Sequence, residues 1–220
     1  MLLIIDNVLS PDDLAKVSDR LNALRFVDGT VSAGWHAKLV KNNLQVDRTQ
    51  PDYIPLNKAV TDAILRNQTF RQAVRPRHMT ALLFSRYRDG MEYGTHIDDP
   101  IMQNLRSDVS FTLFLADPSS YEGGELVMET TAGEQAFKPN AGQMIIYPST
   151  KLHRVTPVTK GERLAAVGWC QSYVRDAAKR EILYDLDVAR RGIFDKDKAS
   201  REFQVVSRCH ANLLRMWADG

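Results

Sequence analysis

The stretch "SDVSFTLFLAD", Ser107–Asp117, packs β-branched and aromatic residues between polar ends. Such a run reads as a strand. Five others share its texture: "TALLFSRY" (Thr80–Tyr87), "GELVMET" (Gly124–Thr130), "QMIIYPS" (Gln143–Ser149), "HRVTPV" (His153–Val158) and "RLAAVGWCQS" (Arg163–Ser172). Asp, Gly, Pro and Ser punctuate the intervals, and no helical periodicity intervenes. Short strands at regular spacing argue a sandwich, a barrel or a jelly roll.

Helices are expected on either side. Ser10, Pro11 and Asp13 form a helix start, with cap, first-turn proline and first-turn carboxylates. Leu14, Val17, Leu21 and Leu24 then step as an amphipathic stripe. Pro55–Val74 reads as a second helix, with Leu56, Val60, Ile64 and Leu65 facing inward. Beyond Ser172 the pattern is helical again. Phe203, Val206, His210, Leu213 and Trp217 form one face, expected to pack on the core or on a second copy of the chain. The architecture expected is α+β: N-terminal helices, a β core over about 78–174, and a helical segment over 175–220, with 1–174 forming the functional domain.

Composition excludes some classes. The chain has 220 residues, 44% hydrophobic and 25% charged, which suits one globular domain. A net charge of +2 gives little pull toward nucleic acid or a membrane surface. Cys170 and Cys209 form no CxxC pair and no disulfide framework, which suits a reducing cytoplasm. The N-terminal "MLLII" is too short for a signal or a membrane span and reads as a first strand.

At the entry to the β region, "YGTHIDDP" (Tyr93–Pro100) sets His96 two residues before Asp98. On extended backbone such residues point the same way and could grip a divalent metal. A chain with five His and 27 acidic residues yields ~0.6 such pairs by chance, so the pair alone decides nothing. A third ligand is expected from a distant strand, and His153 is available. Two His and one carboxylate on one face of an octahedral metal form the facial triad of non-haem Fe(II) oxygenases. A closed zinc site would want four ligands, usually with thiolate. Neither cysteine lies near these segments. Arg163 follows His153 by ten residues, across a turn marked by Pro157 and Gly161, which would put the two on neighbouring strands. In isolation it reads as a surface ion pair. In a dry barrel its planar fork suits the far carboxylate of a keto-acid cosubstrate.

Taken together, these residues resemble the 2-oxoglutarate- and Fe(II)-dependent dioxygenases of the prolyl-4-hydroxylase type, and among them the bacterial PKHD-type hydroxylases. The resemblance is carried by "VDGTVSAGWHAKLVKNNLQVD" (Val27–Asp47), "RYRDGMEYGTHIDD" (Arg86–Asp99), "DPSSYEGGELV" (Asp117–Val127) and "YPSTKLHRVTPVTKGERLAAVGWCQSYVRD" (Tyr147–Asp176). It implies a double-stranded β-helix (jelly-roll) core. It implies iron ligation by His96, Asp98 and His153, which are then also the catalytic residues. It implies a 2-oxoglutarate anchor at Arg163 and a cosubstrate hydrogen bond from Tyr87. It implies hydroxylation coupled to decarboxylation of 2-oxoglutarate to succinate and CO2, with O2 consumed and L-ascorbate as reductant. Related eukaryotic prolyl hydroxylases often carry lysine where this chain has Arg163, which keeps the charge and alters the pocket shape. The substrate, a peptide or a small molecule, is not legible.

The remaining motifs have plainer readings. "EGGEL" (Glu122–Leu126) lacks the lysine of a phosphate loop and reads as a tight turn. "KLVKNNLQVDR" reads as a solvated strand, although the resemblance makes Lys41, Asn42 and Asn43 candidates for the substrate face. Trp169 shares a strand face with Arg163 by even spacing, which leaves it to line the pocket or to pack the core, and core packing is the expected role. His36, His78 and His210 lack a ligand partner at suitable spacing, and His210 reads as a core or interface histidine. Two rival functions share this pattern: an inactive iron- or 2-oxoglutarate-binding sensor, and a nucleic-acid demethylase. An intact triad with Arg163 argues against the first. With 8% aromatic residues and little net charge, the chain offers little for the second.

Overall fold

The computed structural model describes residues 1–219. The chain opens with β1 (Leu3–Ile5) and then α1 (Pro11–Ala23). Ser10 Oγ accepts from the Asp13 amide at 3.1 Å, as its capping signature requires. Val17 and Leu21 bury the stripe. Three short strands follow, β2 (Phe26–Asp28), β3 (Lys41–Asn42) and β4 (Leu44–Val46). The expected second helix is two helices, α2 (Tyr53–Arg66) and α3 (Gln68–Val74). Asn67 breaks them by turning extended, and its side chain accepts from the Phe70 amide at 3.0 Å, capping the new helix. A residue that caps well interrupts a helix well.

The strands then run β5 (Pro76–Met79), β6 (Leu83–Tyr87), β7 (Glu92–His96), β8 (Ile101–Met102), β9 (Leu105–Arg106) and β10 (Val109–Phe114). After them come β11 (Tyr121–Gly123), β12 (Leu126–Thr130), β13 (Gly133–Phe137), β14 (Met144–Pro148), β15 (His153–Val155), β16 (Val158–Gly161) and β17 (Arg163–Ser172). The larger sheet has the order β1-β14-β10-β17-β6-β4-β2, with β5 also on β17; a smaller one has the order β13-β12-β15-β7-β3. All pairings are antiparallel.

Alternation along β10 shows how the layers are filled. Val109, Phe111 and Leu113 join a core with α1, α2 and α3, including Leu21, Leu56, Ile64 and Phe70. Phe114 joins a second core with Tyr87, Leu126, Met128 and Tyr147, contributed by both sheets. Ser110 and Thr112, on the same side as Phe114, are buried polar groups. Period two thus separates a helix-facing side from an interior one. The jelly-roll expectation is met. His153 and Arg163 are not on neighbouring strands, however. β15 pairs with β12 and β7, while β17 pairs with β10, β6 and β5. The intervening β16 pairs with β11, and the chain changes sheets on the way. Nor is the segment around Lys41 a solvated strand: Lys41, Asn43, Gln45 and Val46 are buried, because β3 joins the small sheet beside β7 and β4 joins the large sheet beside β6.

The tail forms α4 (Ala177–Lys196) and α5 (Arg201–Trp217). The α5 stripe meets α4 rather than the β core, with the Phe203 and Phe194 rings 5.1 Å apart. Arg180 is buried and donates to the carbonyls of Val174, Arg175 and Asp108. Asp187, 2% exposed, accepts from Arg75 Nη2 at 2.9 Å, pairs with Arg190 and lies 3.4 Å from His210 Nε2. Asp187→Ala would leave the half-buried Arg75 and Arg190 guanidiniums without their buried carboxylate. It should cost about 1.5–3 kcal/mol, read as a lower denaturation midpoint; an unchanged midpoint would show that this cluster does not clamp the tail. No described helix is long and apolar enough to cross a membrane.

Candidate active site

His96 ends β7 and His153 begins β15, and the two residues are direct register partners in the small sheet. That pairing brings imidazoles 57 positions apart in sequence to ring centroids 4.3 Å apart. Asp98 follows β7, and its Oδ2 lies 3.9 Å from His153 Nε2. Ligand atoms of the three residues all lie within 4.8 Å of one another. Among the described residues this is the one group of its kind. Cis ligand atoms about 2.1 Å from an octahedral ion stand about 3 Å apart, so the Asp98–His153 pair, at 3.9 Å, would close by just under about 1 Å on a shared ion.

Backbone carbonyls orient both rings. His96 Nδ1 is 2.8 Å from the Gly94 carbonyl, and His153 Nδ1 is 2.9 Å from the Lys151 carbonyl. A carbonyl only accepts, so Nδ1 carries the proton and each Nε2 keeps its lone pair for a metal. Burial, with His153 adding to it, pushes the His96 pKa down to about 4. The ring is therefore neutral at neutral pH. Tyr93 stacks on it at 3.6 Å.

Ser110 holds the carboxylate. Its hydroxyl donates to Asp98 Oδ2 at 2.5 Å, and Ser149 Oγ lies 2.8 Å away as the next donor. Ser110→Ala should weaken iron binding about 10–100-fold with the fold intact, the range expected when a ligand loses its orienting partner. Iron titration checks this, and an unchanged affinity would leave Ser110 as filler. The clue in sequence was a serine inside a mostly apolar strand.

The large sheet supplies the other wall. Arg163 begins β17 opposite Tyr87 of β6, and both line the cavity that also holds His96, Asp98 and His153. Arg163 is 1% exposed, its guanidinium carbon 5.2 Å from the ring centres of Tyr87 and Phe114. It is not the surface ion pair that its isolated reading suggested. No described carboxylate is in ion-pair contact with it, Glu125 acting on it only at longer range, and its Nε has no described partner. A buried, unpaired guanidinium is costly unless an anion is to meet it. "EGGEL" turns between β11 and β12, as expected, and its Gly124 has a second use. At φ +69°, a Cβ there would stand 2.9 Å from Arg163 Cδ. Burial also raises the Tyr87 pKa, so its phenol stays protonated and can donate.

Trp169 and Asn42 fall differently from expectation. Trp169 lines this cavity, and its Nε1 has no described partner. Even spacing from Arg163 on a strand was the available signal. Lys41 and Asn43 line the cavity as well, but Asn42 between them is exposed and points away. His36 and His78 are exposed, and His210 is the buried interface histidine described above.

Known proteins share this chain's sequence and fold. The model of the 2OG-Fe(II) oxygenase superfamily matches residues 82–171, which span Tyr87 to Trp169. A PKHD-type hydroxylase of Crocosphaera subtropica is 51% identical over 222 residues, covering all of both chains. One from Picosynechococcus is 52% identical over 219 residues, again end to end. The chain belongs to the PKHD-type hydroxylases. As a PKHD-type hydroxylase it is a 2-oxoglutarate- and Fe(II)-dependent dioxygenase. Solved structures agree on the fold. A Pseudomonas putida prolyl-4-hydroxylase superposes with TM-score 0.53 at 22% identity, covering 78% of this chain and 92% of that one. A Trichoplax adhaerens prolyl hydroxylase, in complex with a hypoxia inducible factor peptide fragment, gives 0.56 at 17%, covering 77% and 82%.

Proposed function

We propose that His96 Nε2, Asp98 and His153 Nε2 hold the ferrous ion, that Arg163 and Tyr87 hold the far carboxylate of 2-oxoglutarate, and that the substrate is a peptide or a small molecule. One observation carries this reading: a nitrogen, nitrogen and oxygen donor set on one sheet faces a buried, unpaired arginine on the other. The donor set suits ferrous iron in a facial triad, because neither thiol takes part: Cys170 is buried on β17 and Cys209 is on α5.

When bound, the iron supplies dioxygen activation coupled to decarboxylation of 2-oxoglutarate to succinate and CO2. The chain's own groups do the rest. His96 and His153 present neutral Nε2 atoms because their Nδ1 protons are engaged by carbonyls. Asp98 supplies the negative charge, held in place by Ser110. Arg163 fixes the cosubstrate at its distal end, so that its keto acid end is directed toward the triad. Aromatic walls from Tyr93 and Tyr147 limit water at the reacting end.

Ascorbate as the reductant that keeps the iron ferrous belongs to this proposal and rests on the family. So does the division into an oxygenase unit, 1–174, and a helical segment, 175–220. We further propose a cytoplasmic protein acting without nucleic acid or membrane, which the two unpaired cysteines and the small net charge support. A homodimer through the outer face of α5 completes the reading, and light scattering checks it. The activity is tested by giving purified protein Fe(II), 2-oxoglutarate and O2. Succinate should form even without added substrate, and faster with the right one. Succinate no higher than in a His153→Ala control, across a broad extract of peptides and metabolites, would overturn the reading.

A further inference from the structure

A buried ammonium is unfavourable unless something anionic meets it. Lys41 stands on β3 opposite Tyr93 of β7, 8% exposed. Its Nζ donates to Ser32 Oγ at 2.9 Å and lies 5.0 Å from the centre of the Tyr93 ring, the same ring that stacks on His96. The Ser32 hydroxyl donates onward, with Gln45 Oε1 at 2.7 Å and the Gly29 carbonyl at 3.1 Å, so its lone pairs are left for Lys41. A neutral hydroxyl orients the lysine without neutralising it. An ammonium has three donors, and the described residues accept one.

No described carboxylate is in ion-pair contact with Lys41. Asp98 and Asp28 act on it only at longer range, and Asp99, at the cavity mouth, is exposed. The strain is visible in the ionisation: burial pushes the Lys41 pKa down to about 8, against the pull of those two carboxylates. Lys41 shares its cavity with His96, Asp98, His153 and Arg163. In the function proposed above, Arg163 matches the far carboxylate of 2-oxoglutarate. The metal matches Asp98 and the near carboxylate. Lys41 is the cation with no counterpart.

Resting on that reading, we propose that Lys41 is a specificity-determining residue that receives a carboxylate carried by the substrate, beside Tyr93 and within reach of the triad. The substrate class is then an acid, either a small molecule with a free carboxylate or a peptide with an acidic side chain. Lys41 touches substrate and takes no part in holding iron or cosubstrate.

The test uses the full chain with Fe(II) and saturating 2-oxoglutarate under anaerobic conditions, where perturbation of the visible charge-transfer band reports a neighbour. Four probes are titrated: N-acetylglycine, its neutral amide, the blocked tripeptide acetyl-Ala-Glu-Ala-amide, and the same peptide with Gln. A carboxylate probe should perturb the band saturably while its amide partner does not; whichever probe acts identifies a free or a side-chain carboxylate. Lys41→Met should weaken that binding about tenfold or more, the loss expected for a charge-assisted hydrogen bond. Lys41→Arg should retain part of it. The half-saturating 2-oxoglutarate concentration should stay put in both variants, which also shows that they fold. The inference is overturned if neither carboxylate acts, if amides act equally well, or if Lys41→Met changes nothing. It is also overturned if Lys41→Met raises the 2-oxoglutarate requirement, since Lys41 would then serve the cosubstrate. A wild-type protein with no band at all would instead remove the underlying dioxygenase site, a separately recognisable failure.

Discussion

Arg163→Ala should raise the half-saturating 2-oxoglutarate concentration about a hundredfold or more while the iron titration stays where it is. The magnitude follows from burial. Arg163 is 1% exposed, so its pair with a carboxylate would be desolvated and charge-assisted. Breaking such a pair by removing one partner costs ~3–5 kcal/mol, and every 1.4 kcal/mol is about tenfold in affinity. Iron affinity is spared because Arg163 lies on the large sheet, while the three proposed ligands come from the small sheet and the segment after β7. Arg163→Lys should recover part of the loss, since lysine supplies the charge without the fork. Parallel loss of iron and cosubstrate would mean that Arg163 supports the fold instead.

His96→Ala, Asp98→Ala and His153→Ala should each abolish iron-dependent turnover without unfolding the chain. Two ligands cannot hold the ion tightly, and the geometry leaves no substitute. Among the described residues no other His, Cys, Asp or Glu joins the group. The fold should survive because both histidines border the cavity rather than lying in either apolar core. Circular dichroism and a succinate assay read the two halves of this expectation. Full succinate production in two of the three variants would refute the triad.

The sequence disclosed the chemistry more completely than the geometry. "SDVSFTLFLAD" and its five companions all became strands, because fully or half-buried strands carry their own composition. That His96, Asp98 and His153 would gather in one cavity with Arg163 was legible because metal and carboxylate chemistry restricts residue type. What remained hidden was set by partners distant in sequence. Nothing local to "KLVKNNLQVDR" says that β3 will join β7 and β4 will join β6, so its burial was missed. Nothing local to the turn after His153 says that β16 will be drawn to β11, carrying Arg163 to the opposite sheet. The break at Asn67 depended on one cap outcompeting helical continuation within a run of good apolar spacing. Ser110 is a different case: its role exists only once β10 is laid beside the Asp98 segment.

The most direct measurement is the visible spectrum of anaerobic protein titrated first with Fe(II) and then with 2-oxoglutarate. A charge-transfer band should appear only when both are present, saturate at one iron per chain, and vanish in His153→Ala. It should demand far more 2-oxoglutarate in Arg163→Ala. A wild-type protein that binds iron yet develops no band with 2-oxoglutarate, or an equal band in His153→Ala, would contradict the assignment of this cavity.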